Sequence, residues 1–271
     1  MPSLPQLSFK ALLPTIFSFI SFILIVLLMA IGSSPTWPPF ALISIDTTVL
    51  KDAYYTATGA GIPIHDAYSL HLQTTCESYL FETPKSRRFV GLQCLEKGTD
   101  VKFEPLTLIQ DDLTTHFSRQ TVQSLRIPAA IQEIFKKKYN IVLHIAFIFY
   151  IFAITSTGIG VLLGGAVLFD VTLPGKADVL GLGNAALSTL LLFVASVMAT
   201  VIQSNATSLI NAVGASIGIS AFHGSGFMAL TWCSCVASLL APLSSSFTRQ
   251  HHNGKIGIIE GQIVYRRKVS W

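Results

Sequence analysis

Four long apolar stretches dominate the sequence, and each can cross the hydrocarbon core of a lipid bilayer. That core is ~30 Å thick, a distance that about 20 residues of helix span. Only 12% of the 271 residues are charged, against roughly a quarter in an ordinary soluble domain. The pattern therefore predicts an all-α membrane bundle of four transmembrane helices rather than a soluble enzyme.

The apolar stretches divide the chain into membrane spans and water-exposed segments. The predicted spans are residues 11–31, 141–169, 178–202 and 226–247. The predicted water-exposed segments are 1–10, 32–140, 170–177, 203–225 and 248–271. The first stretch is longer than the apolar region of a signal peptide, so we interpret it as a retained span.

The large loop at 32–140 has the composition of a folded, water-facing domain. It holds eleven of the fourteen acidic residues and eleven of the eighteen Lys and Arg residues. Residues 40–50 partly alternate apolar and polar side chains, which is typical of a strand. Pro128 can open a helix that runs through Lys136–Lys138 to the second span. We expect a small β-rich domain here.

Cys76 and Cys94 lie eighteen positions apart in this loop, each among polar or amphipathic residues. A disulfide between them would contribute ~3 kcal/mol in the chain-entropy model. Two free thiols are the alternative. Cys233 and Cys235 occupy a span, where C-x-C spacing places them on different helix faces, and we interpret them as packing residues.

Three features bear on orientation. Asn205 begins an N-glycosylation sequon, which can be used only outside the cytoplasm. A disulfide in the large loop needs an oxidising compartment. The basic cluster Arg266, Arg267 and Lys268 in the tail then faces the cytoplasm, where it can meet acidic lipid headgroups. We therefore expect both termini in the cytoplasm and the two longer loops outside it.

Two patterns resemble enzyme motifs but lack the required context. Residues 214–218 fit G-x-S-x-G with Ser216, and His223 follows. A nucleophile elbow needs a strand-to-helix turn in an α/β sheet, which this sequence does not predict. Residues 181–186 fit a dinucleotide fingerprint but lie within a span, where small residues favour helix packing. We expect no catalytic residues.

Small residues recur at helical spacing in the spans. Gly160 and Gly164 form one small-xxx-small pair, and Ala195 and Ala199 form another. Such pairs let helix backbones approach closely in lipid. They could join helices within one bundle or between copies of the chain.

Ionisable residues are nearly absent at mid-membrane depth, which argues against a proton relay or an ion pathway. A channel or small transporter whose conductance depends on loop charges such as Asp111 and Asp112 is the less favoured class. His65, His71, His116, His251 and His252 lack metal-site spacing, so we interpret them as solvated. We expect no metal and no cofactor. The basic residues form no aromatic-interleaved face, which argues against nucleic acid.

Two groups of residues carry a family resemblance. The loop group comprises Tyr68, Ser69, Leu70, His71, Cys76, Glu77, Tyr79, Cys94, Phe103 and Pro105. The second group lies at the start of the fourth span and comprises Gly218, Gly224, Phe227 and Trp232. Together with the span layout they resemble the fungal cortical-patch and PalI pH-response family, whose members are claudin-like four-span proteins.

This resemblance implies a non-enzymatic organiser of the plasma membrane. Members of the cortical-patch branch occupy stable furrowed patches associated with eisosomes and affect endocytosis and cell-wall organisation. The implied partners are membrane lipids, other cortical-patch or eisosome proteins, further copies of the chain and the cell wall. The PalI branch instead assists an ambient-pH sensor. The short tail and long first loop of this chain favour the cortical-patch branch.

Overall fold

The computed structural model describes residues 9–31, 40–59, 61, 64–83, 86–95, 109, 114, 139–169 and 177–253. Four helices are long and apolar enough to span a membrane. They are α1 (Phe9–Ile31), α3 (Asn140–Leu168), α4 (Ala177–Gly214) and α5 (Ser225–Asn253). A shorter helix, α2 (Thr48–Thr58), lies in the large loop. The predicted helical bundle is confirmed.

The four long helices form a closed ring of neighbours. Helix α1 packs against α3 and α5, and α4 packs against the same two helices. Helices α3 and α5 lie diagonally opposite each other in the ring, and a hydrogen bond between the hydroxyls of Tyr150 and Thr231 connects them. The buried side chains of the ring include many Ser and Thr residues whose hydroxyls bond to helix carbonyls, such as Ser21 to Ser234 at 3.0 Å.

Five short strands form one antiparallel sheet. They are β1 (Ile43–Asp46), β2 (Ala67–Leu70), β3 (Thr75–Thr83), β4 (Ser86–Leu95) and β5 (Ser220–His223). The strand order is β4-β3-β2-β1-β5. The first four strands come from the large loop, as predicted, and the strand at 43–46 falls within the segment expected to be extended.

The fifth strand comes from the segment predicted as a second loop. Residues 203–225 instead continue helix α4 to Gly214, pass through a 3-10 turn at Ala215–Ile217 and then form β5. The helix continues past Ile202 because Ala206 and Ile210 lie one and two turns further along the same buried face. The end of the lipid-facing stretch is therefore not the end of the helix.

The exposed side chains of α4 mark where lipid contact ends. Large apolar side chains are exposed from Leu180 to Val201, a rise of about 32 Å along the helix axis. This length matches the ~30 Å hydrocarbon core. The next exposed residues are Ser204, Asn205 and Ser208. The last three turns of α4 therefore extend beyond the hydrocarbon and meet the sheet.

One continuous apolar core joins the sheet to the bundle. The side chains of Ile43, Ile45, Tyr68 and Leu70 alternate along β1 and β2 and point to the same face of the sheet. They are fully or almost fully buried, in one cluster with Leu28, Leu143, Ile202, Ala206 and Ile210 of the long helices. The sheet is therefore an integral layer of the fold.

Candidate functional site at the junction of sheet and bundle

Two amide side chains on the extended part of α4 hold the sheet in place. The Gln203 Nε2 donates to the carbonyl of Leu42 at 2.7 Å and to that of Gly224 at 3.4 Å. Two turns further, Asn211 bonds to both backbone groups of Ala221, at 3.0 Å and 2.6 Å. Asn211 thereby pairs backbone groups on the outer edge of β5, where an unpaired strand would otherwise be open to aggregation.

Two glycines flank β5 where the chain passes close to the backbone of neighbouring segments. Gly224 lies so close to β1 that an added Cβ would be 1.5 Å from the carbonyl oxygen of Ala41. Gly218 has a φ of 77°, and an added Cβ would lie 2.9 Å from the backbone nitrogen of Leu50. The Gly218 carbonyl accepts a hydrogen bond from that same nitrogen at 3.1 Å. A Cβ has no space at Gly224, and at Gly218 it would both lack space and require a positive φ, which favours glycine.

The family-resemblance residues of β2 are packing residues. Tyr68 and Leu70 face the bundle, and Ser69 lies on the opposite face of the sheet yet is also fully buried. His71 follows the strand and is 2% exposed. Its interpretation as solvated was wrong, because the sheet is covered on both faces at this point.

His71 and Ser69 are both buried at the end of strand β2. Within the part of the chain that the structure describes, the two ring nitrogens of His71 and the hydroxyl of Ser69 have no hydrogen-bond partner. Burial lowers the pKa of His71 from 6.5 to about 4, because the charged imidazolium would lose its hydration. The histidine is therefore neutral in the folded protein at ordinary pH.

The predicted disulfide is confirmed. Cys76 on β3 and Cys94 on β4 lie directly opposite each other in the sheet and are bonded. The bond ties the terminal strand β4 to the strand beside it. Cys233 is exposed and Cys235 is buried, so the two cysteines lie on different faces of one helix as expected. The interpretation as a packing residue therefore holds for Cys235 and was wrong for Cys233.

Glu77 and Tyr79 belong to a second group of side chains, which we call the Tyr79 cluster. It consists of Lys51, His65, Asp66, Glu77 and Tyr79. Lys51 forms an ion pair with Asp66, and the His65 Nδ1 lies 3.5 Å from the Glu77 carboxylate. Tyr79 is 48% exposed and contacts the side chains of Lys51 and His65. The cluster links α2 to β3.

The predicted packing residues lie inside the bundle, but they do not form a single helix pair. An added Cβ at Gly160 would lie 3.2 Å from the Asn184 side chain of α4, whereas one at Gly164 would meet Thr15 of α1. Ala195 and Ala199 are fully buried. Asn184 also donates to the Ser156 carbonyl at 2.8 Å, which adds a polar contact between α3 and α4.

The remaining predicted positions have diverse surroundings. The Trp232 Nε1 donates to the Thr200 hydroxyl at 3.3 Å. Asn205 is exposed on helix α4, while Thr207 of the same sequon is 4% exposed. Phe103 and Pro105 lie outside the described residues, as do the helix predicted from Pro128 to Lys138 and residues 1–8 and 254–271 of the terminal segments. Residues 9–10 and 248–253, predicted as terminal segments, instead belong to helices α1 and α5.

The G-x-S-x-G pattern lies in the turn from α4 to β5, not in the strand-to-helix turn that a nucleophile elbow requires. Ser216 is exposed in the 3-10 turn, and its hydroxyl donates to the Val213 carbonyl at 2.9 Å. Within the described ranges, no three His, Cys, Asp or Glu side chains come together as metal ligands.

The roles of Gln203 and Asn211 were not predicted from the sequence. Their spacing of eight positions, with Thr207 between them, is the signal that one polar helix face continues beyond the span.

No curated protein matches the chain at a significant level. The described geometry comprises four apolar helices and a small antiparallel sheet with one disulfide, and it agrees with a multi-pass membrane protein. The sequence profile of the SUR7/PalI family matches residues 10–244, most of the chain, and the protein therefore belongs to the SUR7/PalI family.

Proposed function

We propose that this protein is a non-enzymatic organiser of the fungal plasma membrane, acting in cortical patches associated with eisosomes. It would influence endocytosis and cell-wall organisation through its contacts rather than through chemistry. The family supports this proposal because it comprises membrane structural and signalling proteins. The sheet would lie outside the cell and both termini in the cytoplasm.

The observation that carries the proposal is the firm attachment of the sheet to the bundle. Gln203 bonds to the backbone at Leu42 and Gly224, and the apolar core is continuous from α4 to β2. A contact made by the sheet would therefore be transmitted to the helices without an intervening flexible linker. Such a unit can couple an outer contact, for example with the wall, to lateral association in the bilayer.

The proposed lateral contacts involve lipids, other patch proteins and further copies of the chain. The exposed helix surfaces are mostly apolar, with Leu13 and Phe19 on α1 and Leu187 and Leu190 on α4 exposed. His144 and Thr155 on α3 are exposed polar residues. Small residues such as Gly160 are used inside the bundle. Association between copies would therefore rely on surfaces other than the predicted glycine pair.

Fluorescence microscopy tests the proposal directly. A tagged copy at native expression in a fungal cell is imaged together with an eisosome marker. We expect immobile cortical patches that overlap the marker. A diffuse plasma-membrane signal or an internal-membrane signal would refute the organiser function.

The family match also covers a second candidate, an accessory subunit of ambient-pH signalling. Deletion distinguishes the two functions. Loss of growth at alkaline pH with unchanged cortical patches would favour the signalling function. Altered patches with normal alkaline growth would favour the organiser.

A further inference from the structure

A proline interrupts the backbone hydrogen bonds of α5 near the end of the bundle that lies away from the sheet. Pro242 has no backbone N–H, so it cannot donate to the carbonyl of Ser238, four residues earlier. An unpaired carbonyl is costly in lipid, and prolines are tolerated in transmembrane helices where a nearby hydroxyl replaces the missing donor. The donor to Ser238 therefore decides how firmly α5 is held at this point.

Thr189 on α4 supplies that donor. Its Oγ1 lies 3.0 Å from the carbonyl oxygen of Ser238 and 3.0 Å from the Ser238 hydroxyl. The same Oγ1 lies 2.8 Å from the Ala185 carbonyl of its own helix. A hydroxyl group has one proton to donate, so Thr189 has a choice between the two carbonyls. Donation to Ser238 joins α4 to α5 beside the proline, whereas donation to Ala185 releases the Ser238 carbonyl.

The two parts of α5 on either side of Pro242 are held by different contacts. The part before the proline is hydrogen-bonded to each of the other three long helices. These bonds join Ser234 to Ser21, Thr231 to Tyr150 and Trp232 to Thr200. Beyond the proline, the hydroxyl of Ser246 donates to the Pro242 carbonyl of α5 itself at 2.9 Å. The first part is therefore anchored in the bundle at several points.

Helix α1, which packs against α5, contains a proline at the same depth. The hydrogen bond from Ser21 to the Ser234 carbonyl fixes the relative height of these two antiparallel helices. From that bond, Pro14 lies about 10 Å along α1 and Pro242 about 12 Å along α5, in the same direction. Prolines are the usual positions of sharp helix bends. Two neighbouring helices can thus bend at one level of the bundle.

We propose that the end of α5, residues 243–253, turns about Pro242 and that the Thr189 hydroxyl holds it in the described position. In the held state Thr189 donates to the Ser238 carbonyl. In the released state it donates to Ala185, and the end of α5 tilts away from α4. The segment leads into the C-terminal tail, so this hinge sets the direction in which the tail leaves the bundle.

Hydrogen–deuterium exchange of the full-length protein in detergent tests the hinge. Thr189→Val keeps the shape of the side chain and removes its hydroxyl. We expect exchange at the backbone amides of residues 243–253 to increase about two- to tenfold, the range that corresponds to one lost hydrogen bond. Exchange in residues 225–237, before the proline, should stay unchanged. Thr189→Ala also removes the hydroxyl and takes the place of Thr189→Val if that variant is not monodisperse.

A second substitution shows whether the effect of Thr189 acts through the proline. Pro242→Ala restores a backbone N–H that can donate to Ser238. In this background, Thr189→Val should change the exchange of residues 243–253 by less than about twofold, below the range for one lost hydrogen bond. Thr155→Val is the matched control, because Thr155 is a threonine of a long helix whose hydroxyl donates to Ile151 of the same helix at 2.9 Å.

Two results would overturn the hinge. The first is unchanged exchange of residues 243–253 after loss of the Thr189 hydroxyl. The second is an equal increase with Pro242 and with Pro242→Ala, which would mean that Thr189 acts on α5 independently of the proline. An increase that Pro242→Ala abolishes, together with unchanged exchange in Thr155→Val, would establish Thr189 as the residue that holds the hinge.

Discussion

The side-chain amide of Gln203 donates to the backbone carbonyl of Leu42 at 2.7 Å, although 161 positions separate the two residues. The bond connects the fully buried start of the sheet with the third long helix just beyond its lipid-facing part. A buried backbone group needs a partner, because its water is lost on folding. Gln203 is therefore a structural joint between the outer layer and the bundle.

Replacing Gln203 with Met removes this joint while keeping a similar volume. We expect the free energy of unfolding to fall by about 0.5–1.5 kcal/mol, because the hydrogen bonds of Gln203 are lost while both carbonyls keep a backbone donor. Thermal unfolding of the detergent-solubilised protein measures the change. Ser204→Ala, on the exposed neighbour, should have little effect. Equal unfolding temperatures for Gln203→Met and the wild type would contradict this role.

Gly224→Ala should prevent the native junction from forming. Its Cβ would lie 1.5 Å from the Ala41 carbonyl oxygen, which only a backbone shift can relieve. We expect loss of monodisperse protein in size-exclusion chromatography or a destabilisation of several kcal/mol, in the range of severe substitutions of about 4 kcal/mol. Gly61→Ala is the control, because nothing lies within 4 Å of its added Cβ. Normal behaviour of Gly224→Ala would show that β5 is not held against β1 in this way.

Burial of His71 predicts that acid destabilises the sheet. Its pKa is about 4 in the folded protein, against 6.5 for a fully hydrated histidine side chain, so between these values the unfolded chain binds more protons. Above pH 6.5 the protonation of His71 does not reduce the free energy of unfolding. As the pH decreases from 6.5 toward 4, that free energy falls by about 3 kcal/mol in total.

His71→Leu removes this titration and two buried ring nitrogens that have no partner among the described residues, so the variant should be at least as stable as the wild type and lose less stability in acid. Thermal unfolding of both proteins between pH 7 and pH 4 measures the difference. Parallel pH profiles for the two proteins would mean that His71 is not the group responsible.

Replacing Cys76 and Cys94 together with Ser should cost ~3 kcal/mol, the contribution expected for a loop of this length. The bond also holds the terminal strand β4 against β3, so hydrogen exchange should increase most in these two strands. Cys233→Ser, at an exposed cysteine without a disulfide, should leave both properties unchanged. Unchanged exchange in β4 after loss of the bond would show that the strand is held by other contacts.

Asn205 should carry no glycan. It lies four residues beyond Val201, about 6 Å along the helix axis from the end of the lipid-facing surface. The sequon is helical, and Thr207 is buried against the core. Treatment with an N-glycosidase should not alter the mobility of the wild type, and Asn205→Gln should migrate identically. A shift removed by Asn205→Gln would contradict this expectation.

The sequence by itself determined the class of the fold. Apolar length decided the four spans, because the bilayer core sets a minimum of about 20 residues of helix. The many charged residues in 32–140 predicted that the large loop is a folded, water-facing domain. Its predicted location outside the cytoplasm favoured a disulfide between Cys76 and Cys94. These inferences depend on local composition. The four long helices, the strands in the large loop and the disulfide are confirmed, whereas the sheet shares one apolar core with the bundle and the extent of the loop domain stays a prediction.

Only the tertiary structure decided how the two layers are joined. The extension of α4 to Gly214 depends on a sheet that buries Ala206 and Ile210, and the location of β5 depends on pairing with β1. His71 is likewise buried because both faces of the sheet are covered at this point. These features arise from contacts between segments that are distant in sequence, such as Gln203 and Leu42, and local periodicity carries no information about such pairs.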